Sequence, residues 1–280
     1  MGENFSDSAL VLLGHGSTLN VDSAKPTYQH ADALREKNLF VQVEEAFWKL
    51  EPGVSAVLRG VFAKRIFVVP LFISEGYFTE EVLPRELGFA QRSDGTFETV
   101  RQEGEQTIHY CGPIGTHESM TDALVARAKG VVEKHPFPTL PRTEHTTLFI
   151  AGHGTSNNEN SRKVIEEQAE RIKATGEYAD VQAVFMEETP SVEACYDLAE
   201  TKNIVMVPFF ISDGLHSFED IPVMLGETEK RVQQRLREGQ PTWVNPTERR
   251  GKRLWYSGSI GTEPFIAEVI LERVREAAER

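Results

Sequence analysis

Short apolar runs that stop at glycine or proline alternate along the chain with polar stretches of helical length. Runs of this kind, rich in Val, Ile and Phe, are typical of buried parallel strands. The predicted strands lie at residues 9–16, 41–48, 66–73 and 108–114, and again at 146–154, 180–186, 204–211 and 254–260. The clearest predicted helices lie at residues 118–134, 160–175 and 264–280.

The second half of this pattern repeats the first in sequence as well as in order. Both halves contain Gly-His-Gly after the first strand, and both contain a Tyr-x-Gly-x-Ile-Gly-Thr segment near the end. The third-strand segments are identical at seven of twelve positions. Several matches in the same order indicate an internal duplication. The matching segments are 14–16 with 152–154, 65–76 with 203–214, and 110–116 with 256–262.

Alternation of strands and helices favours parallel sheets with right-handed crossovers and helices on both faces. We therefore expect an α/β protein of two Rossmann-like lobes with parallel sheets, related by the internal duplication. The proline-rich segment 136–145 is the predicted linker. The N-terminal lobe is then expected at residues 1–135 and the C-terminal lobe at residues 146–280, with a cleft between them.

Composition excludes several classes of function. The 280 residues are 40% hydrophobic and 26% charged, as in ordinary globular proteins. A formal charge of −13 argues against nucleic-acid binding, because phosphate recognition needs a basic surface. Two cysteines without a Cys-x-x-Cys motif indicate neither a disulfide framework nor an iron–sulfur cluster. No run is long enough to span a membrane and the start resembles no secretory signal, so we expect a cytoplasmic protein without membrane contact.

Three predicted loops of the second half carry side chains that bind metals. His153 follows the first strand of that half, Glu187 follows the second, and His216 follows the third. Because parallel strands end at one edge of a sheet, these side chains are expected to converge. Two imidazoles and one carboxylate form an open site for a divalent transition metal. The neighbouring Glu188 remains an alternative carboxylate ligand.

The first half keeps only part of this set. His15 remains in its Gly-His-Gly loop, but Lys49 replaces the carboxylate and Phe78 replaces the second histidine. An ammonium group and a phenyl ring do not ligate a metal ion. We therefore predict a metal site in the C-terminal lobe and a degenerate site in the N-terminal lobe.

The Gly-His-Gly loops, the Pro-[Leu/Phe]-Phe-Ile segments and the Gly-Leu-His…Glu-Asp-Ile-Pro segment together resemble those of class II chelatases. The resemblance covers nearly the whole chain and is strongest to the long CbiX-type sirohydrochlorin chelatases. It implies insertion of Co²⁺ or Fe²⁺ into sirohydrochlorin, or a related tetrapyrrole, in cobalamin or sirohaem biosynthesis. It also implies that no organic cofactor is needed, and that the metal-binding residues of the family are here His153, Glu187 and His216.

Metal insertion releases two pyrrole protons, so catalysis needs a base close to the metal. An imidazole exchanges protons near neutral pH, which makes either His153 or His216 the predicted acceptor. Glu187 is the predicted relay. All three residues are therefore expected to be catalytic as well as metal-binding.

Sirohydrochlorin carries many carboxylates, so a strongly acidic chain needs local positive charge to hold it. Arg162 and Lys163 lie shortly after the second Gly-His-Gly loop, and the segment 230–253 contains eight Lys or Arg residues against two Glu. We expect Arg162 and Lys163 to contribute to substrate binding. The segment 230–253 is most simply a solvated helix and loop, and a basic rim of the substrate site is the alternative. Three residues of the N-terminal lobe are further candidates for binding the macrocycle: His15, Lys49 and Phe78.

Two other functions fit parts of this pattern. A metal or tetrapyrrole carrier or sensor would keep the same ligands without turnover. A hydrolase or phosphoryl-transfer enzyme would use the Gly-His-Gly loop to bind an anion, but the chain lacks a Walker loop, a Gly-x-Ser-x-Gly elbow and a carboxylate cluster for Mg²⁺. Because the duplication already supplies two lobes, a monomer is the simpler expectation, and a dimer stays open.

Overall fold

The computed structural model describes residues 5–18, 20–154 and 159–280 of the chain. Alternation of strands and helices is confirmed in both halves. The strands are β1 (Ser8–Gly14), β2 (Gln42–Phe47), β3 (Arg65–Pro70), β4 (Val100–Glu103), β5 (Gln106–Tyr110), β6 (Thr146–Gly152), β7 (Asp180–Phe185), β8 (Asn203–Pro208), β9 (Thr247–Arg249) and β10 (Lys252–Tyr256).

The strands form two five-stranded sheets with the same topology. The first sheet has the order β2-β1-β3-β5-β4, and the second has the order β7-β6-β8-β10-β9. The pairings are parallel except at β4 and β9, which run antiparallel to β5 and β10. The predicted α/β class with two parallel sheets is confirmed, and each sheet carries in addition a short antiparallel edge strand.

The three clearest predicted helices are confirmed to within two residues at either end. Among the described residues, no helix has both the length and the apolar composition that crossing a bilayer requires. The helices are α1 (Lys25–Glu36), α2 (Val54–Gly60), α3 (Leu83–Glu86), α4 (Met120–Lys134), α5 (Glu159–Ala174), α6 (Cys195–Leu198), α7 (Ile221–Met224), α8 (Glu229–Arg237) and α9 (Ile266–Ala278).

The chain divides into two compact units whose limits differ from the predicted linear boundaries. Unit 1 comprises residues 1–120 and 264–280, and unit 2 comprises residues 121–263. Helix α4, which ends the first half of the sequence, therefore belongs to unit 2, and α9, which ends the second half, belongs to unit 1. The two halves exchange their closing helices. A sequence repeat does not reveal this exchange, because equivalent helices cover equivalent sheets.

In each unit the central strands are fully buried, and alternate side chains point to opposite faces of the sheet. In unit 1, Ala9, Val11 and Leu13 of β1 share a core cluster with Val54 of α2 and Leu83 of α3. Helices α1 and α9 contact each other and the same sheet. Because their side chains are absent from that cluster, they cover the other face, and the sheet is enclosed on both sides.

Candidate functional site

Three loops of unit 2 leave the sheet at the same edge. The last residue of β6, Gly152, pairs with the last residue of β7, and β8 ends beside Ala151. His153 then follows β6 directly, and Glu187 lies two residues beyond β7. His216 begins a π-helical turn after β8. The strand ends are therefore level, and each loop carries its predicted side chain at this edge.

The three side chains meet in two contacts, both made by His153. Its Nδ1 lies 3.7 Å from Glu187 Oε2. Its ring centroid lies 4.9 Å from that of His216, with the ring planes at 77°. The backbone joins the first two loops, because the N–H of Glu187 donates to the carbonyl oxygen of His153 at 3.0 Å. All three side chains are partly exposed, and the Glu187 side chain is 58% exposed, so a dissolved ion can reach them.

The glycines on either side of His153 are required by packing. A Cβ on Gly152 would lie 2.0 Å from Cδ1 of Ile165 in α5. Gly154 has a φ of +65°, and a Cβ there would lie 2.7 Å from Cβ of Phe185. A side chain at Gly154 would therefore be strained and would force Phe185 or the loop to shift, whereas one at Gly152 would require the end of the Ile165 side chain to move. Residues 155–158, which continue this loop, lie outside the described residues.

These residues do not form a closed metal cage. In the described part of the chain, no three His, Cys, Asp or Glu side chains converge tightly enough to hold an ion. The contacts from His153 to Glu187 and to His216 form an open arrangement instead. Structural metals occupy complete ligand sets, whereas catalytic sites keep a coordination position open. Two imidazoles and one carboxylate at one exposed edge are the donor types of a site with an open coordination position.

The two adjacent carboxylates of the second loop have different partners. Glu188 accepts a hydrogen bond from Nη1 of Arg162 at 2.9 Å, and its side chain is only 22% exposed. This pairing raises the pKa of the Arg162 guanidinium. Arg162 also donates to Glu166 and lies 4.8 Å from the ring of Phe185. Glu188 is therefore engaged in holding α5 to the sheet, which favours Glu187 as the carboxylate that meets the histidine.

The cations that were predicted to bind substrate are largely engaged within unit 2. Lys163 lies 3.8 Å from Glu167 in α5, although its side chain is 73% exposed. In the basic segment 230–253, Arg235 donates to the carbonyl oxygen of Thr242, and Lys252 donates to that of Thr201, both at 2.9 Å. These bonds stabilise the edge of the unit. Arg235 and Lys252 therefore act within the unit, while Lys230, Arg231 and Arg237 are exposed, as expected for a solvated helix and loop.

The equivalent loops of unit 1 form an aromatic cluster. The rings of Trp48 and Phe78 lie 4.4 Å apart, and His15 lies 5.3 Å from the first and 5.9 Å from the second. Phe72 adds a fourth ring, 5.2 Å from Phe78. Nζ of Lys49 lies 4.4 Å from the Trp48 ring, within cation–π distance. His15 is thus surrounded by rings, whereas His153 meets a carboxylate and a second imidazole.

Asp220 is a candidate that the sequence analysis missed. Its Oδ2 lies 2.8 Å from Nδ1 of His216, within the π-helical turn. The signal was present in the sequence, because side chains four residues apart in a helical turn lie on the same face.

Comparison with known proteins places this chain among chelatases. A sequence model of the CbiX family matches twice, over residues 9–131 and 147–277. A probable sirohydrochlorin cobaltochelatase of Halobacterium salinarum is 47% identical over 279 residues, which cover 96% of this chain and 91% of the relative. A sirohydrochlorin cobaltochelatase of Methanopyrus kandleri is 33% identical over 143 residues, which cover 46% of this chain and 95% of the relative. The second relative thus corresponds to about half of this chain.

A solved structure supports the same assignment. DR2241 of Deinococcus radiodurans, described as a multi-domain protein with structural similarity to chelatases, superposes with a TM-score of 0.75 and 32% identity. The match covers 97% of this chain but 54% of DR2241, so this chain spans about half of that protein. This is the same family that the Gly-His-Gly loops and the Gly-Leu-His segment resemble. With both halves matched by the family model, this chain belongs to the CbiX family.

Proposed function

We propose that this protein is a chelatase that inserts Co²⁺ into sirohydrochlorin, with the metal bound in unit 2. The observation that carries the proposal is the meeting of His153, Glu187 and His216 at the carboxyl edge of one parallel sheet. The name of the relative that is 47% identical supports cobalt, and cobalt insertion would belong to the cobalamin branch that the resemblance implies. Fe²⁺ and the sirohaem branch are the alternative, since two imidazoles and a carboxylate accept either ion.

The ion is a substrate, so the site must bind it and then release it into the macrocycle. His153 and His216 supply neutral nitrogen ligands, and Glu187 supplies a negative charge beside His153. Insertion exchanges two pyrrole protons for one M²⁺ ion, so two protons must leave the site. The imidazole of His153 takes up these two protons one after the other once the ion has left it, because a ring nitrogen does not bind the ion and a proton at once. Glu187, 3.7 Å away, passes each proton to solvent before the next is taken up.

Taken by itself, the aromatic cluster of unit 1 has side chains of the kinds that bind a tetrapyrrole. The partly exposed ring of Phe78 suits a planar macrocycle, and the ammonium group of Lys49 suits a peripheral carboxylate. His15 completes this cluster beside Phe78. In unit 2, the ammonium group of Lys163 contributes positive charge for the anionic substrate. The guanidinium of Arg162 contributes such charge only when its ion pair with Glu188 is broken.

The test is an anaerobic insertion assay that follows the visible spectrum of sirohydrochlorin with Co²⁺ or Fe²⁺. The wild-type protein should turn over many equivalents, and Co²⁺ should react faster than Fe²⁺. His216→Ala should lower kcat by roughly 10²-fold or more, as expected for a lost catalytic base or ligand. His145→Ala, which removes an exposed histidine of the same unit far along the sequence, is the matched control and should retain activity.

The outcomes separate the proposal from a carrier or sensor function. If wild-type protein binds metal or macrocycle but insertion stays at the uncatalysed rate, the protein is a carrier rather than an enzyme. If His145→Ala loses as much activity as His216→Ala, the site is not at the edge of β6, β7 and β8. Faster insertion of Fe²⁺ than Co²⁺ would select the sirohaem branch.

A further inference from the structure

The hydrogen bond between His216 and Asp220 defines which ring nitrogen of the histidine is free. Nδ1 of His216 lies 2.8 Å from Oδ2 of Asp220, and the pair spans the π-helical turn His216–Asp220. An ionised carboxylate only accepts hydrogen bonds, so Nδ1 must carry the hydrogen. In the neutral imidazole, the lone pair is then on Nε2, which is the nitrogen left to meet a metal or a proton.

The same turn in unit 1 shows that this carboxylate is not needed for folding. There the π-helical turn Phe78–Val82 is closed by the N–H of Leu83 donating to the carbonyl oxygen of Phe78. In unit 2 the N–H of Ile221 donates to the carbonyl oxygen of His216 in the same way. Val82 occupies the position of Asp220 in the repeat. The backbone of the turn therefore forms with or without the acid.

Other supports of the turn are shared by both units. The hydroxyl of Ser217 accepts from the N–H of Gly214 in unit 2, as that of Thr79 accepts from Gly76 in unit 1. A tyrosine hydroxyl from the neighbouring strand donates to the carbonyl oxygen of this Ser or Thr in each unit, at 2.8 Å. The unit that has a histidine has the aspartate, and the unit that has Phe78 has a valine. Both units have the π-helical turn, but only the unit with the histidine has the aspartate. The carboxylate is therefore associated with the imidazole rather than with the turn.

A second carboxylate in the same turn has a different task. Glu219 accepts a hydrogen bond from the side-chain amide of Gln233 in α8. This bond attaches α8 to the turn and does not involve the histidine. Asp220 and Glu219 are thus neighbours of equal charge, one facing the candidate ligand and the other facing a helix.

We infer that Asp220 is a positioning residue for His216. It holds the imidazole with hydrogen on Nδ1 and leaves the lone pair of Nε2 for the incoming ion. The inference rests on the proposed function for its purpose, because metal delivery is what requires Nε2 to be free. Partners of this kind behind metal-binding histidines typically change metal affinity by about 10–100-fold when removed.

The first experiment observes the histidine itself, in full-length protein without metal. ¹⁵N-labelled histidine side chains are followed by NMR, with the His216 signals assigned by their loss in His216→Ala. Wild-type protein should show the Nδ1–H tautomer at His216. Asp220→Val copies the residue of unit 1 and should shift His216 toward the Nε2–H tautomer. Glu219→Gln is the matched control and should keep the wild-type tautomer.

The second experiment measures Co²⁺ binding by calorimetric titration of the same proteins. Asp220→Val should weaken Co²⁺ binding roughly tenfold or more, and Glu219→Gln should leave it close to wild type. Asp220→Asn keeps an acceptor oxygen and should recover most of the affinity. Thermal unfolding should be similar in all variants, because unit 1 forms this turn with valine.

The inference is overturned if Asp220→Val leaves both the tautomer and the Co²⁺ affinity unchanged, or if Glu219→Gln alters them as strongly. Neither readout needs turnover, so the two proposals fail separately. A tautomer shift and weaker Co²⁺ binding in Asp220→Val, in a protein that does not insert metal, would support the positioning role and refute the chelatase.

Discussion

At the scale of single residues, the two Gly-His-Gly loops share a backbone and differ in the side chains around the histidine. The carbonyl oxygen of each histidine accepts an N–H from the neighbouring loop, at 3.0 Å from Glu187 in unit 2 and at 2.8 Å from Lys49 in unit 1. One of these residues brings a carboxylate and the other an ammonium group. The loop alone therefore does not make a metal site; its neighbours decide whether the histidine has partners.

Replacing the two adjacent carboxylates separately should distinguish a ligand from an anchor. Glu187→Gln is expected to weaken Co²⁺ binding roughly tenfold, because the charge beside His153 is lost. Glu188→Gln should leave Co²⁺ binding nearly unchanged and should cost about 0.5–1 kcal/mol of unfolding free energy, since it loosens a half-exposed pair with Arg162. Calorimetric Co²⁺ titration and urea unfolding measure the two effects. The reverse ranking of the two affinities would make Glu188 the ligand.

The sequence was sufficient to predict which strand end carries each candidate ligand, because glycines, prolines and apolar runs mark the ends of parallel strands. It was not sufficient to predict which side chains form ion pairs or hydrogen bonds with each other. Arg162 follows the loop and was expected to bind substrate, yet it meets Glu188, which lies 26 residues away. Asp220 was overlooked because its hydrogen bond with His216 depends on the orientation of the His216 imidazole.

At the scale of elements, the parallel strands and long helices are predictable because each buries a continuous or periodic apolar surface. The antiparallel edge strands β4 and β9 are half-exposed and polar, so no apolar run marks them. Helix α8 is dominated by charged and amide side chains, with Val232 as its buried residue, which is typical of the solvated helix that the charge pattern favours. The π-helical turns arise after β3 and β8 in equivalent positions, without a known sequence signature.

Helix α9 is attached to unit 1 by a buried arginine. Arg273 is 8% exposed and donates to the carbonyl oxygen of Pro113 at 2.7 and 3.0 Å and to the hydroxyl of Thr116 at 2.6 Å. The guanidinium in this position satisfies the buried carbonyl oxygen of Pro113 and the partly buried hydroxyl of Thr116.

Arg273→Gln is therefore expected to lower the free energy of unfolding by about 2–4 kcal/mol, because buried acceptors lose their donors. Arg275→Gln in the same helix is the matched control, since its pair with Glu272 is partly exposed, and should cost less than about 1 kcal/mol. Urea unfolding monitored by circular dichroism gives both values. Equal losses in the two variants would show that the bonds to Pro113 and Thr116 contribute nothing specific.

At the scale of the whole molecule, the exchange of closing helices is built from equivalent contacts. Arg127 of α4 donates to the hydroxyl of Thr262 at 2.9 Å, and Arg273 of α9 donates to that of Thr116 at 2.6 Å. The two arginines and the two threonines are repeat equivalents. The repeat thus specifies that the closing helix of either half can make this Arg–Thr contact. It does not specify whether α4 or α9 packs on a given sheet. The predicted boundaries at 135 and 146 followed the repeat, and the compact units follow the contacts.

A fragment with the boundaries of a compact unit should differ in stability from a fragment with the boundaries of a sequence repeat. Residues 121–263 contain the whole of unit 2, including the buried Ala123, Leu124 and Ala128 of α4. Residues 146–280 lack α4 and carry α9 without its own sheet. We expect the first fragment to unfold cooperatively with heat and the second to be unfolded or to melt at a much lower temperature, as circular dichroism will show. Equal melting curves would mean that the helices are interchangeable in isolation.

The exchange also has a consequence during synthesis on the ribosome. All residues of unit 2 are available once residue 263 has been added, whereas unit 1 has its full sheet by Tyr110 but receives α9 only from residues 264–280. The helix that packs on β3 and β5 therefore emerges only after the whole of unit 2. The bond from Arg273 to Pro113 joins residues 160 positions apart. Synthesis of unit 1 thus begins before that of unit 2 and is completed after it, so the face of its sheet that α9 covers is exposed while residues 121–263 are being made.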